Sequence, residues 1–178
     1  MNKAIFAKQL LFFTLIIIQH SKIMAQNEYT IQADFQGSKE VVWEAITDFQ
    51  SYDNWNTVLM MENNDQLEVG KKFKVTIIDE KGKQSQFKAQ ALTNEQYNSF
   101  SARQVMLGKW FFSATHYFIV AQKNESETTL AQTWRFSGIL FRPFRKLIFN
   151  QLDRFNQMND DLKEYLKANL RENVGNKG

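Results

Sequence analysis

The sequence PFRKLIFNQLDRFNQMNDDLKEYLKANLR, residues 143–171, decides the fold. Its apolar residues recur at intervals of three and four positions, namely Phe144, Leu147, Ile148, Leu152, Phe155, Met158, Leu162, Tyr165, Leu166 and Leu170. This spacing places them along one face of an α-helix, which turns once in about 3.6 residues. Without a break the helix would be about 43 Å long, at about 1.5 Å per residue. Such a helix needs a partner of similar length to cover its apolar face.

The segments before this helix predict an antiparallel sheet. In Lys72–Ile78, Phe73, Val75 and Ile77 alternate with polar residues, as in a strand with one buried face. Similar patterns predict strands at 28–35, 57–61, 84–92, 97–105, 110–122 and 128–137, and short helical segments at 38–46 and 48–56. The expected order is one strand, two short helices, six strands and the long helix.

Two small residues raise the question of a cavity. Ala89 and Ala91 occupy positions of the strand at 84–92 that are predicted to face inward. Protein interiors are close-packed, so another side chain usually fills such a space. The residues alone leave two alternatives open: a sheet and helix that pack fully, or a sheet and helix that enclose a ligand cavity.

Residues 1–25 predict a secretory signal peptide. Lys3 and Lys8 precede an apolar run at 10–18 that only Thr14 interrupts, and Ala25 ends the segment with a small residue. The run is shorter than the roughly 20 apolar residues that cross a bilayer. We therefore expect cleavage near Ala25, with an uncleaved anchor as the alternative. The remaining residues, 26–178, are expected to form a single domain with its core at about 28–172.

Removal of this segment changes the charge of the chain. The whole sequence has 22 Lys and Arg against 19 Asp and Glu, and loss of Lys3, Lys8 and Lys22 leaves 19 of each. A chain without net charge gives no reason to expect nucleic acid as a partner. The sequence contains no cysteine, so an exported chain would have no disulfide and would depend on a packed core.

Several short motifs support a family resemblance. The segment VWEAITDF at 42–49 is followed by Tyr52 and Trp55, and HYF at 116–118, FSG at 136–138 and MN at 158–159 occur later. In the element order given above, these motifs resemble the SRPBCC superfamily of START-like, polyketide cyclase/dehydrase-like proteins over about residues 28–170. The resemblance implies an α+β helix-grip fold, in which a seven-stranded antiparallel sheet wraps around the long C-terminal helix. Two short helices would follow the first strand, and an apolar pocket would lie between sheet and helix.

The resemblance and the residue parity together imply a pocket wall of ten residues. These are Trp110, Phe112, His116, Phe118, Trp134 and Phe136 from the sheet and Phe144, Ile148, Leu152 and Phe155 from the helix. Members of the superfamily include lipid carriers, hormone receptors and aromatic-ring cyclases. We expect a periplasmic or secreted monomer that binds a small hydrophobic or lipid-like ligand without a cofactor. The alternatives are a cyclase/dehydrase-like enzyme that uses His116 with Tyr52 or Tyr117, and an accessory protein whose own side chains fill the cavity.

His116 is the one candidate for acid–base chemistry, because the other histidine lies in the predicted signal peptide. It has three interpretations: a histidine held by an internal hydrogen bond, a group that orients a ligand, or a general acid or base. Without cysteine, and without a carboxylate cluster, the sequence predicts no metal site. It also lacks a glycine-flanked serine elbow and a glycine-rich phosphate loop.

Charged residues on the C-terminal helix are expected to lie at the surface. Arg142, Arg145 and Lys146 form a basic cluster at its start, and Asp160 and Asp161 lie beside the apolar face. Exposed charges of this kind are usually solvated and contribute little to stability. For the basic cluster, the alternative is contact with an anionic lipid head group at the pocket mouth, as in a transient contact with a membrane surface.

Overall fold

The computed structural model describes residues 27–61 and 67–175, so the predicted signal peptide lies outside the described residues. The strands are β1 (Glu28–Gln36), β2 (Leu59–Met61), β3 (Lys72–Ile78), β4 (Gln84–Glu95), β5 (Ser99–Met106), β6 (Phe112–Gln122) and β7 (Glu127–Ser137). The helices are α1 (Lys39–Thr47), α2 (Tyr52–Trp55), α3 (Phe141–Leu152) and α4 (Phe155–Gly175), with a 3₁₀ turn at Phe49–Ser51. This is the α+β element order that the sequence predicts.

One antiparallel sheet contains all seven strands in the order β1-β7-β6-β5-β4-β3-β2. The first strand therefore pairs with the last, and Ala33 lies opposite Leu130. In the middle of the sheet, His116 lies between Ala102 on β5 and Trp134 on β7. Because side chains alternate between the two faces of a strand, this register brings His116 and Trp134 to the same face.

The long C-terminal helix is bent, so the length of about 43 Å expected without a break does not apply. Asp153 and Arg154 separate α3 from α4, which are about 18 Å and 32 Å long. After the break, the N–H groups of Asn156 and Gln157 donate to the carbonyls of Asp153 and Arg154 at 3.1 and 3.0 Å. The Tyr29 hydroxyl on β1 donates to the Asp153 carboxylate and holds the bend against the sheet. Burial and this carboxylate raise the pKa of Tyr29 to about 12.

One end of the space between sheet and helix is filled. The helix α1 packs against β6, β7 and α4. Five side chains are fully buried there: Val42 and Ile46 from α1, Leu130 from β7, and Met158 and Leu162 from α4. At about 25 cal/mol per Å² of buried apolar surface, a packed end of this kind contributes strongly to folding.

Asp161 also contributes to the fold, although the sequence suggested a solvated carboxylate. Its Oδ2 accepts hydrogen bonds from the backbone N–H and the hydroxyl of Thr57, at 2.9 and 2.6 Å. Its Oδ1 accepts a third bond from Gln157 at 2.8 Å. These bonds hold the segment before β2 against α4. Asp160 is exposed, as expected, and pairs with Lys163 at 3.6 Å.

The strand predicted at 110–122 begins two residues later, at Phe112, because Trp110 and Phe111 belong to the turn between β5 and β6. Leu107 and Gly108 have positive φ angles of 55° and 97°, which turn the chain before it re-enters the sheet. The backbone carbonyls of Trp110 and Phe111 then accept bonds from Ile139 and Leu140, each at 3.0 Å. These bonds pin the turn to the segment that leads into α3. In the part of the chain that the structure describes, no helix is long and apolar enough to cross a membrane.

Candidate functional site

A cavity of about 720 Å³ lies between the sheet and the bent helix. Each strand from β2 to β7 contributes to its wall, with Leu59, Val75, Ala89, Phe100, His116 and Trp134 as examples. The helices contribute residues on both sides of the bend, among them Ile148, Leu152 and Phe155. Its size falls within the roughly 300–1,000 Å³ that is typical of small-molecule sites.

Small residues on three neighbouring strands make room for the cavity. Ala89 on β4, Ala102 on β5 and Ala114 on β6 all line it. Ala91 is buried but lies outside the cavity wall, so neighbouring side chains fill the space beside it. Of the two alanines that the sequence suggested, one therefore faces the cavity and the other is packed.

His116 lies among three aromatic rings on the cavity wall. Its ring stacks on Trp134 with centroids 4.0 Å apart and planes at 21°, and the Phe118 centroid is also 4.0 Å away. Phe155, at the start of α4, presents its ring edge-on at 5.5 Å. These neighbours join β6, β7 and α4 around one imidazole.

The His116 side chain is neutral at physiological pH. Protein atoms surround it, and this burial lowers its pKa to about 3, while the nearby Gln132 side chain opposes the shift. His116 Nε2 and Gln132 Oε1 are both buried without a partner, so the two side chains form no hydrogen bond of normal geometry. The Gln132 amide instead donates to Asn159 Oδ1 at 2.7 Å. His116 is partly accessible, and it lines the cavity.

Known structures share this fold. Protein Ms6760 from Mycobacterium smegmatis matches with a TM-score of 0.65 and 13% identity, over 82% of this chain and 94% of that chain. A START superfamily protein from the same organism matches with a TM-score of 0.61 and 12% identity, over 79% of this chain and 97% of that chain. This chain has the START-like helix-grip fold.

A further structural match is DynU16, a protein of the dynemicin biosynthetic locus, with a TM-score of 0.60 and 18% identity. It aligns with 80% of this chain, which spans 48% of DynU16. No family model matches the sequence, and neither does any curated protein. At these identities, the likeness shows the START-like fold alone.

Eight of the ten residues predicted for the pocket wall line the START-like cavity. They are Phe112, His116, Phe118, Trp134, Phe136, Ile148, Leu152 and Phe155. Trp110 and Phe144 do not line it, and their placement in the wall was wrong. Trp110 lies in the turn before β6 and is 86% exposed, while Phe144 on α3 is 51% exposed. The break at 153–154 shifts the inward face of α3 relative to α4, and Leu147 lines the cavity instead.

The cavity wall also contains charged residues that the sequence did not suggest. Asp79, Glu80, Lys81 and Lys83 come from the β3–β4 hairpin, and Arg154 comes from the helix bend. A charged hairpin looks like an ordinary surface turn in a sequence. One signal was present for Arg154, because it immediately precedes the inward-facing Phe155.

Neither tyrosine considered beside His116 is available as a catalytic partner. Tyr52 lines the cavity, but its hydroxyl donates to the Ile46 carbonyl at 2.7 Å, and burial raises its pKa. Tyr117 lies outside the cavity wall, where the Arg135 guanidinium is 5.1 Å from its ring centroid. Among the described residues, no group of three or more histidines and carboxylates is placed to hold a metal ion.

Proposed function

We propose that this protein binds a small hydrophobic or lipid-like molecule in the START-like cavity. The observation that carries the proposal is a space of about 720 Å³ with largely aromatic and aliphatic walls, which the described side chains leave unfilled. Protein interiors are normally close-packed. The side chains around an apolar space of this size therefore lack contacts that a ligand would supply. The same observation weighs against an accessory protein whose own side chains fill the cavity.

His116 is the polar group that we propose orients the ligand. It makes no hydrogen bond of normal geometry with any described residue, although aromatic rings enclose it. A polar group of the ligand would supply the missing bond, worth about 0.5–1.5 kcal/mol net. Apolar contact would supply the larger part of the affinity, as in most small-molecule sites.

Titration with Nile red, a neutral apolar fluorophore, tests whether the cavity is the binding site. Ala114→Leu fills part of the cavity from β6 and should weaken binding at least tenfold. Ala121→Leu makes the same change at an exposed position of β6 and should leave binding unchanged. Equal affinities for wild type and Ala114→Leu would show that the probe binds elsewhere.

A cyclase/dehydrase-like activity of His116 is the alternative function. A base with a pKa near 3 accepts protons weakly at neutral pH, and the tyrosines described above are not available to assist it. The test is mass spectrometry of the molecule that co-purifies, before and after incubation with wild type and His116→Ala. Under the binding proposal, its mass stays unchanged and His116→Ala weakens binding by about 0.5–1.5 kcal/mol. A new product formed by wild type alone would favour the enzyme.

We also propose that the protein is an exported monomer that contacts membranes transiently. Export is supported by the predicted signal peptide at 1–25. Membrane contact is supported by exposed apolar residues at adjoining positions, with Leu107 74%, Trp110 86% and Ile139 68% exposed. The segments 106–111 and 138–152 contain Lys109, Arg142, Arg145 and Lys146 but no acidic residue. Apolar and basic residues together suit an anionic lipid surface.

Sedimentation with lipid vesicles tests the membrane contact. Wild type should bind vesicles that contain anionic phosphatidylglycerol and should bind neutral phosphatidylcholine vesicles less. Trp110→Ser should reduce binding to the anionic vesicles, because Trp favours the membrane–water interface. Equal binding to both vesicle types by wild type and Trp110→Ser would contradict the proposed surface.

A further inference from the structure

Arg154, in the wall of the cavity, carries a positive charge that pairs with no described carboxylate. It lines the cavity, and its Nε is buried without an acceptor. In the described part of the chain, its guanidinium forms no hydrogen bond or ion pair. Arginine carries five N–H donors and is charged at every physiological pH, so a guanidinium partly shielded from water is unfavourable without an acceptor.

The other charged residues of the cavity wall are equal in number and opposite in sign. Asp79 and Glu80 are matched by Lys81 and Lys83, which leaves the charge of Arg154 in excess. Asp79 Oδ1 already accepts hydrogen bonds from the backbone N–H groups of Lys81 and Lys83, each at 2.9 Å. Asp153, the neighbour of Arg154 in the chain, accepts the Tyr29 hydroxyl. Asp79 and Asp153 thus have other hydrogen-bond partners, and the charged residues of the cavity wall sum to one positive charge.

The aromatic part of the cavity wall offers no comparable charge. His116 is enclosed by aromatic rings, and its burial lowers its pKa to about 3, so the imidazole is neutral. An anion placed beside it would be desolvated without compensation, which is costly. A negatively charged ligand group is therefore favoured at Arg154, and an apolar body is favoured beside the aromatic wall.

We propose that the ligand is an amphipathic carboxylic acid, with its carboxylate on the Arg154 guanidinium and its apolar body in the cavity. This inference rests on the proposed binding function and specifies the ligand class of the same site. A single excess positive charge matches a carboxylate better than a phosphate monoester, which carries between one and two negative charges. The planar guanidinium also presents donors that match the two carboxylate oxygens.

Displacement of Nile red by matched lipids at pH 7.5 tests the proposal. The competitors are dodecanoic acid, its methyl ester and dodecyl phosphate, which share a chain of the same length. Wild type should bind the acid at least tenfold more tightly than the ester, and more tightly than the phosphate. In Arg154→Gln the acid and the ester should bind within about twofold of each other, and Arg154→Lys should retain part of the preference.

The control variant is Arg103→Gln, which makes the same change on β5 at a position between the cavity-lining residues Ala102 and Gln104. Strand alternation points Arg103 to the opposite face of the sheet. The Arg103→Gln protein should therefore prefer the acid over the ester as strongly as wild type does. An equal loss of preference in Arg103→Gln would overturn the assignment to Arg154. Thermal unfolding of each variant identifies any loss of fold. The ratio of the wild-type affinities for the acid and the ester tests the charge preference without a variant.

The remaining outcomes separate this inference from the proposed function. If acid and ester displace Nile red equally from wild type, the inference is wrong and the apolar binding function stands. If the phosphate binds more tightly than the acid, the site is not selective for carboxylates. If wild type binds neither Nile red nor any competitor, the proposed function fails together with the inference.

Discussion

At the residue scale, two polar side chains of the cavity differ in charge because their surroundings differ. His116 is enclosed by Phe118, Trp134 and Phe155 and is neutral, since a charged imidazole would be poorly solvated there. Arg154 also lines the cavity, and its guanidinium has no partner among the described residues. The cavity wall therefore contains a neutral polar group and a cation.

His116 should make the folded state sensitive to mild acid. Its pKa is about 3 in the folded protein and 6.5 in the unfolded chain, so below pH 6.5 only the unfolded chain gains the proton. The free energy of unfolding should thus fall as pH falls from 6.5 toward 3, by up to about 1.4 kcal/mol per pH unit. Urea unfolding at pH 7.5, 6.5, 5.5 and 4.5 measures the slope.

The control for this prediction is His116→Gln, because the glutamine side chain does not titrate. Carboxylates whose pKa is lowered, Asp34 by Lys123 and Asp79 by the Lys83 backbone N–H, destabilise the fold only below their unfolded pKa, near 4. The interval from pH 6.5 to 4.5 therefore isolates His116. Parallel slopes for wild type and His116→Gln there would show that His116 is not buried in the neutral form.

At the scale of elements, the bent helix and the β5–β6 turn determine the shape of the cavity. The bend lets α3 and α4 present Leu147, Leu152 and Phe155 to one space, although the three residues do not share a continuous helix. The turn meets the segment after β7 at Gly138, where a Cβ atom would lie 2.4 Å from the Phe111 carbonyl oxygen. Both features depend on contacts between segments that are distant in the sequence.

Phe155→Ala should lower the free energy of unfolding by about 3–5 kcal/mol. The ring is 2% exposed and packs edge-on against Trp134 at 4.8 Å. Phe144→Ala removes the same ring from a half-exposed position of α3 and should cost about 0.5 kcal/mol or less. Chemical denaturation compares the two variants, and equal midpoints would contradict the assigned burial.

Gly138→Ala should destabilise the protein more than Gly82→Ala. Both glycines have positive φ angles, 103° and 76°, and the strained backbone alone costs about 1–3 kcal/mol. Only at Gly138 would the new methyl group also collide with backbone atoms, since nothing lies within 4 Å of a Cβ atom at Gly82. Thermal unfolding compares the two variants. A smaller loss of stability in Gly138→Ala than in Gly82→Ala would show that the turn rearranges around the methyl group without cost.

At the scale of the whole molecule, the sheet and helix are packed at one end and open at the other. The packed end contains α1 and the buried residues Leu130, Met158 and Leu162, and it provides the stability of a chain without disulfides. The open end combines alanines on β4, β5 and β6 with a helix bend, so that space remains for a ligand.

The mature protein should begin near Gln26. Cleavage after Ala25 removes three lysines and no acidic residue, which lowers the net charge from +3 to zero. Intact-mass measurement of protein from the periplasm or medium checks the cleavage site. Protein found only in the cytosol, with Met1 or the whole segment retained, would contradict export.

The sequence by itself determined the order of strands and helices, because periodicity is a local property of the backbone. The helix-grip arrangement of these elements was implied by the resemblance to the SRPBCC superfamily. Alternation in β3 and β6 identified the inward faces, and eight of ten predicted wall residues line the cavity. Only the tertiary structure decided where the long helix breaks, since Tyr29 and Asp153 meet across 124 residues of sequence. It also decided that Trp110 points outward, because backbone bonds to the segment before α3 hold its turn. Arg154 lines the cavity beside the helix bend.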